Sequence, residues 1–328
     1  MKPAADRSIV FLDASTLGEP AEALSLLAQC YPCTFHDTTL PHQVADRITG
    51  RAVAVTNKVP IRAETLESPG AEALQLVSVA ATGVDVVDLE SARRRGIAVT
   101  NVTGYSTHSV AEHTWALIFE LASRTGNFAQ AVRDGAWERS PIFTVFGWPR
   151  EELFGKTLGI VGLGAIGGAV ATLGRALGME VVVSTRPGAP GAPPPDRVPF
   201  EEVLARADVL SLHCPLTPTT ERLLGEKALA SMKRTAWIVN TARGGLLDEV
   251  ALIAALRARK LGGAALDVIS QEPPPVDHPV LSAARELPNL VVTPHVAWTS
   301  AASRRRLTEQ LADGIHAFFR GETRNRVV

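Results

Sequence analysis

Leu158-Gly-Ile-Val161-Gly162-Leu-Gly164-Ala-Ile-Gly167 sets an apolar run directly before three glycines spaced G-x-G-x-x-G, with a helical pattern opening behind them. A strand that feeds such a turn into a helix is the context in which these glycines bind a dinucleotide. The first makes the tight turn, the second lets main chain approach a pyrophosphate, and the third packs helix against strand. The anion then rests on free N–H groups at the helix N-terminus, where the dipole favours negative charge. The Leu158–Gly174 segment is uncharged, yet its many glycines and short length argue against a membrane span.

Outward from this stretch, short Val- and Ile-rich runs alternate with helical patterns, the signature of parallel β/α units. Strands are expected at 157–161, 180–184, 208–212, 235–240, 262–267 and 289–293, with helices at 166–177, 200–206, 226–232 and 248–259. Before the glycines, strands at 8–12, 32–36, 51–55, 75–80 and 97–100 alternate with helices at 20–29, 41–49 and 86–95. Arg93-Arg94-Arg95 before Gly96 read as helix C-terminal cations ahead of a glycine stop. Val110, Trp115, Leu117, Ile118 and Leu121 predict one long amphipathic helix from Ser106 to Arg124, a natural connection between two α/β blocks. A turn-rich stretch from Asp134 to Glu151 follows it, and Pro187–Pro199 reads as a Pro/Gly loop. The final helix, about 300–320, needs a partner surface.

The 328 residues, 46% hydrophobic and 20% charged, suit two domains that each bury a core. A net charge of −1 argues against nucleic-acid or anionic-membrane binding, so a small-molecule substrate is expected. Cys30, Cys33 and Cys214 are too few for a disulfide framework. The Cys30-Tyr-Pro-Cys33 spacing lacks the second ligand pair a zinc site needs, so no metal is expected. The start, MKPAADRS, has no apolar segment of the signal-peptide kind, and cytoplasm is the expected compartment.

In an open parallel sheet, ligands bind outside the carboxyl ends of the strands. Four of those ends deliver polar groups: His213-Cys214-Pro215, Thr241-Ala242-Arg243-Gly244, Asp267 with Glu272 five residues on, and Pro294-His295. An Arg, a Glu and a His beside a nicotinamide site supply what 2-keto acid reduction requires: a cation for the carbonyl and an acid/base oriented by a carboxylate. Of eight histidines, His36, His42 and His316 suit surface or outer-domain positions, and His278 lies in a Pro-rich loop. His113 reads as a satisfied interdomain histidine, and His213 falls nearer the adenosine half. His295 is preferred, because its strand is expected beside those carrying Arg243 and Asp267.

The chain resembles the D-isomer-specific 2-hydroxyacid dehydrogenase family, and more narrowly its bacterial glycerate dehydrogenase, hydroxypyruvate reductase and glyoxylate reductase members. The resemblance is carried by Thr56-Asn-Lys-Val-Pro60, Val79-Ala-Ala-Thr-Gly-Val-Asp85, Asn101-Val-Thr-Gly-Tyr-Ser-Thr107 with Ala111-Glu-His113, and the glycine stretch. It continues through Leu212-His-Cys-Pro-Leu-Thr217, Asn240-Thr-Ala-Arg-Gly-Gly245, Leu266-Asp-Val268 and Thr293-Pro-His-Val-Ala-Trp298.

The resemblance implies an α/β fold of two domains, with a doubly wound Rossmann cofactor domain (104–294) inserted in a flavodoxin-like substrate domain (1–103 and 295–328). The final helix thereby gains its partner surface. It assigns catalysis to Arg243, Glu272 and His295, the substrate carboxylate to backbone at Thr82-Gly83, and the nicotinamide carboxamide side to Asp267. Asn57 is expected near a C3 hydroxyl. The expected cofactor set is completed by Thr107, Gly162, Leu163, Gly164, Ala165, Ile166, Gly167, Ser184, Thr185, Arg186, His213, Cys214, Pro215, Thr220, Thr241, Ala242, His295 and Ala297. The implied activity is reduction of glyoxylate or hydroxypyruvate, and the two domains are expected to close on the ligand because hydride transfer benefits from water exclusion.

One departure matters. Most NAD-using relatives carry Asp at the end of the second Rossmann strand, where Ser184-Thr185-Arg186 stands here, and no acid appears from Val181 to Pro195. NADPH is therefore expected to be preferred, with NADH the lesser cofactor. A homodimer is expected too, from the family and from the aromatic-rich stretch Trp137–Trp148, of which Phe143, Phe146 or Trp148 is the candidate to reach a partner's site. Two alternatives stay open: a non-catalytic, dinucleotide-sensing corepressor-like protein, disfavoured by the complete Arg, Glu and His set, and a phosphite dehydrogenase-like enzyme.

Overall fold

The structure is a computed structural model and describes residues 7–18, 22–186 and 194–328. The chain divides into two compact units, Met1–Ser106 with Thr299–Val328, and Thr107–Trp298. The second is inserted in the first. Of the expected Pro/Gly loop, residues 187–193 lie outside the described residues, as do the first two positions of the expected helix 20–29.

The first unit holds strands β1 (Ile9–Phe11), β2 (Cys33–Phe35), β3 (Val53–Thr56), β4 (Leu76–Val79) and β5 (Ala98–Thr100). They form one parallel sheet in the order β2-β1-β3-β4-β5, the flavodoxin-like arrangement. The central strands are buried residue after residue, because helices cover both faces of such a sheet and alternation disappears. Gly96 takes φ +66° after the three arginines, closing the helix Leu89–Arg95 with a left-handed cap. The last helix, Ala301–Phe319, packs on Glu22–Cys30 of the same unit, and Tyr31 lies 4.7 Å ring to ring from Phe319. That is the partner surface its apolar face requires.

The second unit holds β6 (Thr157–Val161), β7 (Glu180–Val183), β8 (Val209–Leu212), β9 (Trp237–Asn240), β10 (Gly263–Leu266) and β11 (Leu290–Val292). Their order is β11-β10-β9-β8-β6-β7, all parallel. A single parallel bridge, Ser184 to Val198, extends the β7 edge where the Rossmann order places another strand. The strand order reverses between β6 and β8, so the glycine turn after β6 lies at the switch point. On one face, Trp115, Leu117, Ile118 and Leu121 of the helix Thr107–Ser123 share a core with Leu158, Ile160 and Val170. The other face is covered by Phe200, Val203, Leu204, Leu252, Leu256 and Val280.

Three α-helices among the described residues were not expected, the first being the single turn Ala63–Leu66. Thr125–Arg133 follows Arg124 at φ +53°, and its short apolar stripe, Phe128, Ala131 and Val132, is left unburied. Pro279–Glu286 has Pro at its start with His278 as N-cap, a short segment whose cap is histidine rather than Ser, Thr, Asp or Asn. No helix among the described residues is long and apolar enough to cross a membrane.

Candidate active site

Gly162 turns the chain out of β6 at φ +100°, and a Cβ there would come within 2.7 Å of the His213 carbonyl and the Cys214 amide. A Cβ on Gly167 would sit 2.0 Å from the Gly162 carbonyl. Protein packing alone therefore demands these two glycines. Gly164 differs: it is exposed, precedes the helix Ala165–Ala176, and a Cβ there would meet nothing within 4 Å. The open side of Gly164, at the unpaired amides of a helix N-terminus, is where a pyrophosphate fits. Leu163 and Ile166 turn toward the core, while Ala165 stays exposed.

At the end of β7, Ser184 is buried and its hydroxyl donates to the Thr185 carbonyl at 2.6 Å. Its proton is used inward, which leaves half-buried Thr185 and exposed Arg186 facing out. At the end of β8, His213 lies under the glycine turn, and burial pushes its imidazole down to about 4 from an ordinary 6.5. Burial likewise raises the Cys214 thiol. Thr220 secures the loop after Pro215: its hydroxyl donates to the Pro215 carbonyl at 2.8 Å and accepts from the Thr217 amide.

The low value at His213 has a consequence for stability. The unfolded chain takes up this proton near pH 6.5 and the folded chain only near 4, so acidification through that window favours unfolding. At ~1.4 kcal/mol per pH unit, about 2–3 kcal/mol of stability is expected to be lost between pH 7 and 4.5 from this group alone. Urea unfolding across that range checks it, with His213→Gln expected to flatten the slope.

Asn240, fully buried at the end of β9, braces the next turn with both ends of its amide. Its Nδ2 donates to the Arg243 carbonyl at 2.9 Å, and its Oδ1 accepts from the Ala242 amide at 3.0 Å. Thr241 shares a 3.0 Å hydrogen bond with Thr114, and Arg243 Nη1 donates to the Ala242 carbonyl at 2.8 Å. Gly244 presses so closely on Ile269 that a Cβ would come 1.9 Å from its carbonyl carbon. The Arg243 and Glu272 loops are thereby in contact.

Asp267, 1% exposed, collects Thr293 Oγ1 at 2.6 Å, the amides of Val296 and Ala297 at 2.9 Å each, and His113 Nε2 at 3.3 Å. Burial alone would push its carboxyl up. His113, Thr293 and the two amides outweigh that and hold it below the usual carboxylate range. Its oxygens are therefore engaged with protein, and what they organise is the turn around His295. His113, expected between domains, finds these partners inside the second unit.

His295 itself is held at φ +54°, its amide donating to the Asp267 carbonyl at 2.8 Å and to the Thr293 carbonyl at 3.0 Å. A left-handed histidine costs about 1–2 kcal/mol, so the surrounding bonds fix it there. Its Nδ1 lies 2.5 Å from Glu272 Oε2, and Glu272 Oε1 accepts from the Ile269 amide at 3.0 Å. Both side chains keep partial exposure, 24% and 31%. β11 neighbours β10 but not β9, so the expected adjacency to the Arg243 strand is indirect.

Asn57, Thr82 and Gly83 belong to the first unit. Buried Asp13 accepts the amides of Asn57, Lys58 and Val59, which fixes the Asn57 loop, and Asn57 Nδ2 donates to Thr16 Oγ1 at 3.1 Å. Thr82 follows β4, donating its hydroxyl to the Val102 carbonyl, while its own carbonyl accepts from Asn101 Nδ2 at 2.7 Å. Asp13 carries no motif signature and was missed by sequence reasoning, and Asn240, quoted only as the first residue of a motif, was given no role there. Ala297 is buried, its carbonyl accepting from Ser109 at 2.6 Å, and Thr107 opens the first helix of the second unit.

Residues 115–297 match the D-isomer specific 2-hydroxyacid dehydrogenase, NAD binding domain family, which places this match in the second unit. Along 98% of the chain and 99% of the relative, the sequence is 40% identical to a glycerate dehydrogenase of Methylorubrum extorquens. It is 35% identical to a hydroxypyruvate reductase of Blautia hydrogenotrophica, over 93% and 94% of the two chains. A Thermus thermophilus protein of known crystal structure superposes with a TM-score of 0.85 at 38% identity, over 98% of this chain and 100% of that one. With more than half its length in that family match and near full-length similarity beside it, the chain belongs to the D-isomer-specific 2-hydroxyacid dehydrogenase family.

Proposed function

We propose that the protein is an NADPH-preferring reductase of small 2-keto acids, converting glyoxylate to glycolate and hydroxypyruvate to D-glycerate. The observation that carries this is the 2.5 Å pairing of Glu272 with His295 at a strand end of the NAD-binding unit, beside the Arg243 turn. A bound reduced nicotinamide supplies the hydride. His295, oriented through Nδ1 by Glu272, gives the proton to the carbonyl oxygen through Nε2, and Arg243 holds that oxygen and one carboxylate oxygen in its planar fork. The substrate carboxylate rests on backbone at Thr82-Gly83. Names of the relatives, glycerate dehydrogenase and hydroxypyruvate reductase, describe the same reaction class written in its two directions. Steady-state rates with glyoxylate, hydroxypyruvate, pyruvate and phenylpyruvate, each with NADH and NADPH, test it. The two small acids are expected to be fastest, and reduction of none would overturn the proposal.

Cofactor choice follows from the end of β7. With no carboxylate to repel a 2′-phosphate, exposed Arg186 can pair with it beside Thr185. Arg186→Ala is expected to raise KM for NADPH about tenfold or more, in line with ~1.5–3 kcal/mol for a charge-assisted hydrogen bond, and to spare NADH. Equal loss with both cofactors would reject the contact.

The functional unit we propose is a homodimer. Phe143 and Phe146 are 90% and 89% exposed along a groove of about 680 Å³ that Phe128, Trp137 and Trp148 also line. Trp137 Nε1 donates to the Phe143 carbonyl and Phe128 meets Trp148 edge to face at 5.2 Å, so the aromatic loop has a defined shape with its rings turned outward. Light scattering is expected to give twice the 34.9 kDa chain mass at micromolar concentration.

A further inference from the structure

Seven successive residues, Gln271–Asp277, are exposed, yet within them Glu272 has to keep its carboxylate against His295. One largely covered carboxylate reaches both ends of this loop. Glu249 Oε1 accepts from the Ser270 amide at 2.6 Å, and Oε2 accepts from the Ser270 hydroxyl at 2.7 Å. The same Oε2 lies 3.6 Å from Nε2 of His278, with the Glu249 and His278 side chains only 10% and 5% exposed. His278 in turn caps Pro279–Glu286, its Nδ1 accepting from the Val280 amide at 3.3 Å. A ring nitrogen that accepts carries no proton, so Nε2 bears the hydrogen that faces Glu249. Glu249 stands in the first turn of its helix, where the dipole favours its charge.

We propose that Glu249 and His278 are positioning residues: they clamp the entry and exit of the exposed loop and thereby set Glu272 against His295. The inference rests on the assignment of Glu272 made above. Neither residue contacts substrate; both act through Ser270 and the loop backbone. The grip on Ser270 lies two residues from Glu272 and next to Ile269, whose amide binds Glu272 and whose carbonyl abuts Gly244. Slack at this point therefore moves the acid/base pair and the Arg243 turn together.

The test compares wild type with Glu249→Ala, Glu249→Gln and Ser270→Ala, using glyoxylate and NADPH, with rates counted per NADPH-binding site so that misfolded protein does not contribute. Glu249→Ala is expected to lose about 10- to 100-fold in kcat per site, as small misplacements of catalytic groups do, with the NADPH Kd within about threefold of wild type. Glu249→Gln keeps an acceptor for the Ser270 amide and is expected to recover most of that loss. Should Glu249→Ala not fold, Ser270→Ala decides, with a several-fold fall in kcat per site expected. Unchanged kcat per site beside a lowered Tm would overturn the positioning role and leave the proposed function standing. Wild type that reduces no 2-keto acid would overturn the function itself.

Discussion

Replacing His295 by alanine is expected to lower kcat/KM for glyoxylate and hydroxypyruvate about 10²–10⁴-fold, the usual contribution of a positioned general acid. Two effects meet at this position and can be separated. The backbone is left-handed at φ +54°, so a substitution also alters stability through the turn. Asparagine tolerates that conformation better than alanine, and His295→Asn is expected to melt higher than His295→Ala while losing activity equally. Equal loss with unequal stability assigns the rate to the imidazole. Glu272→Gln keeps a hydrogen-bond partner for Nδ1 but removes the charge, and a smaller loss is expected from it. If His295→Ala retained near-wild-type kcat/KM with every 2-keto acid tried, the proton would have to come from elsewhere and the mechanism would fall.

Much of this arrangement was legible because it is local in sequence. Gly162, Gly164 and Gly167 follow an apolar run by fixed steps, and the strands announce themselves through buried Val and Ile. Strand ends could be inspected in turn, which brought Arg243, Asp267 and His295 forward. What stayed hidden depends on hydrogen bonds between residues far apart in the chain. Asp267 gathers His113 from one side and Val296 and Ala297 from the other, and no spacing rule records that. Asp13 reaches 44 residues to the Asn57 amide, and Glu249 reaches 21 residues to Ser270. His278 looked unremarkable in a proline-rich stretch, yet it is buried as a helix cap. Ser184 was expected among the cofactor contacts from its place at a strand end, and nothing in the sequence announces that its hydroxyl donates back to the Thr185 carbonyl. Thr125–Arg133 escaped because its apolar stripe, Phe128, Ala131 and Val132, spans little more than one turn, too short a window for a helical period to stand out.

Arg243→Ala is expected to reduce kcat/KM with 2-keto acids by about 10²–10³-fold or more, the effect of removing one preorganised donor from a developing oxyanion. The preorganisation is visible in the turn. Asn240 holds the Arg243 carbonyl, the Ala242 amide is tied to the same side chain, and Gly244 lies against Ile269 with no space for a Cβ. The side chain therefore departs from a fixed backbone, and its Nη1 is itself held on the Ala242 carbonyl at 2.8 Å. Lysine cannot replace it: an ammonium is a point charge on a flexible stem and cannot bind two oxygens in one plane. Arg243→Lys is accordingly expected to remain at least about tenfold below wild type, the minimum for losing a charge-assisted hydrogen bond of ~1.5–3 kcal/mol. Added guanidinium is expected to restore part of the activity of Arg243→Ala and none of that of His295→Ala, since it can refill only the vacated cation position. Rescue of both, or of neither with Arg243→Lys at wild-type rate, would show that the charge at this strand end serves the fold and that the carbonyl is polarised by another group.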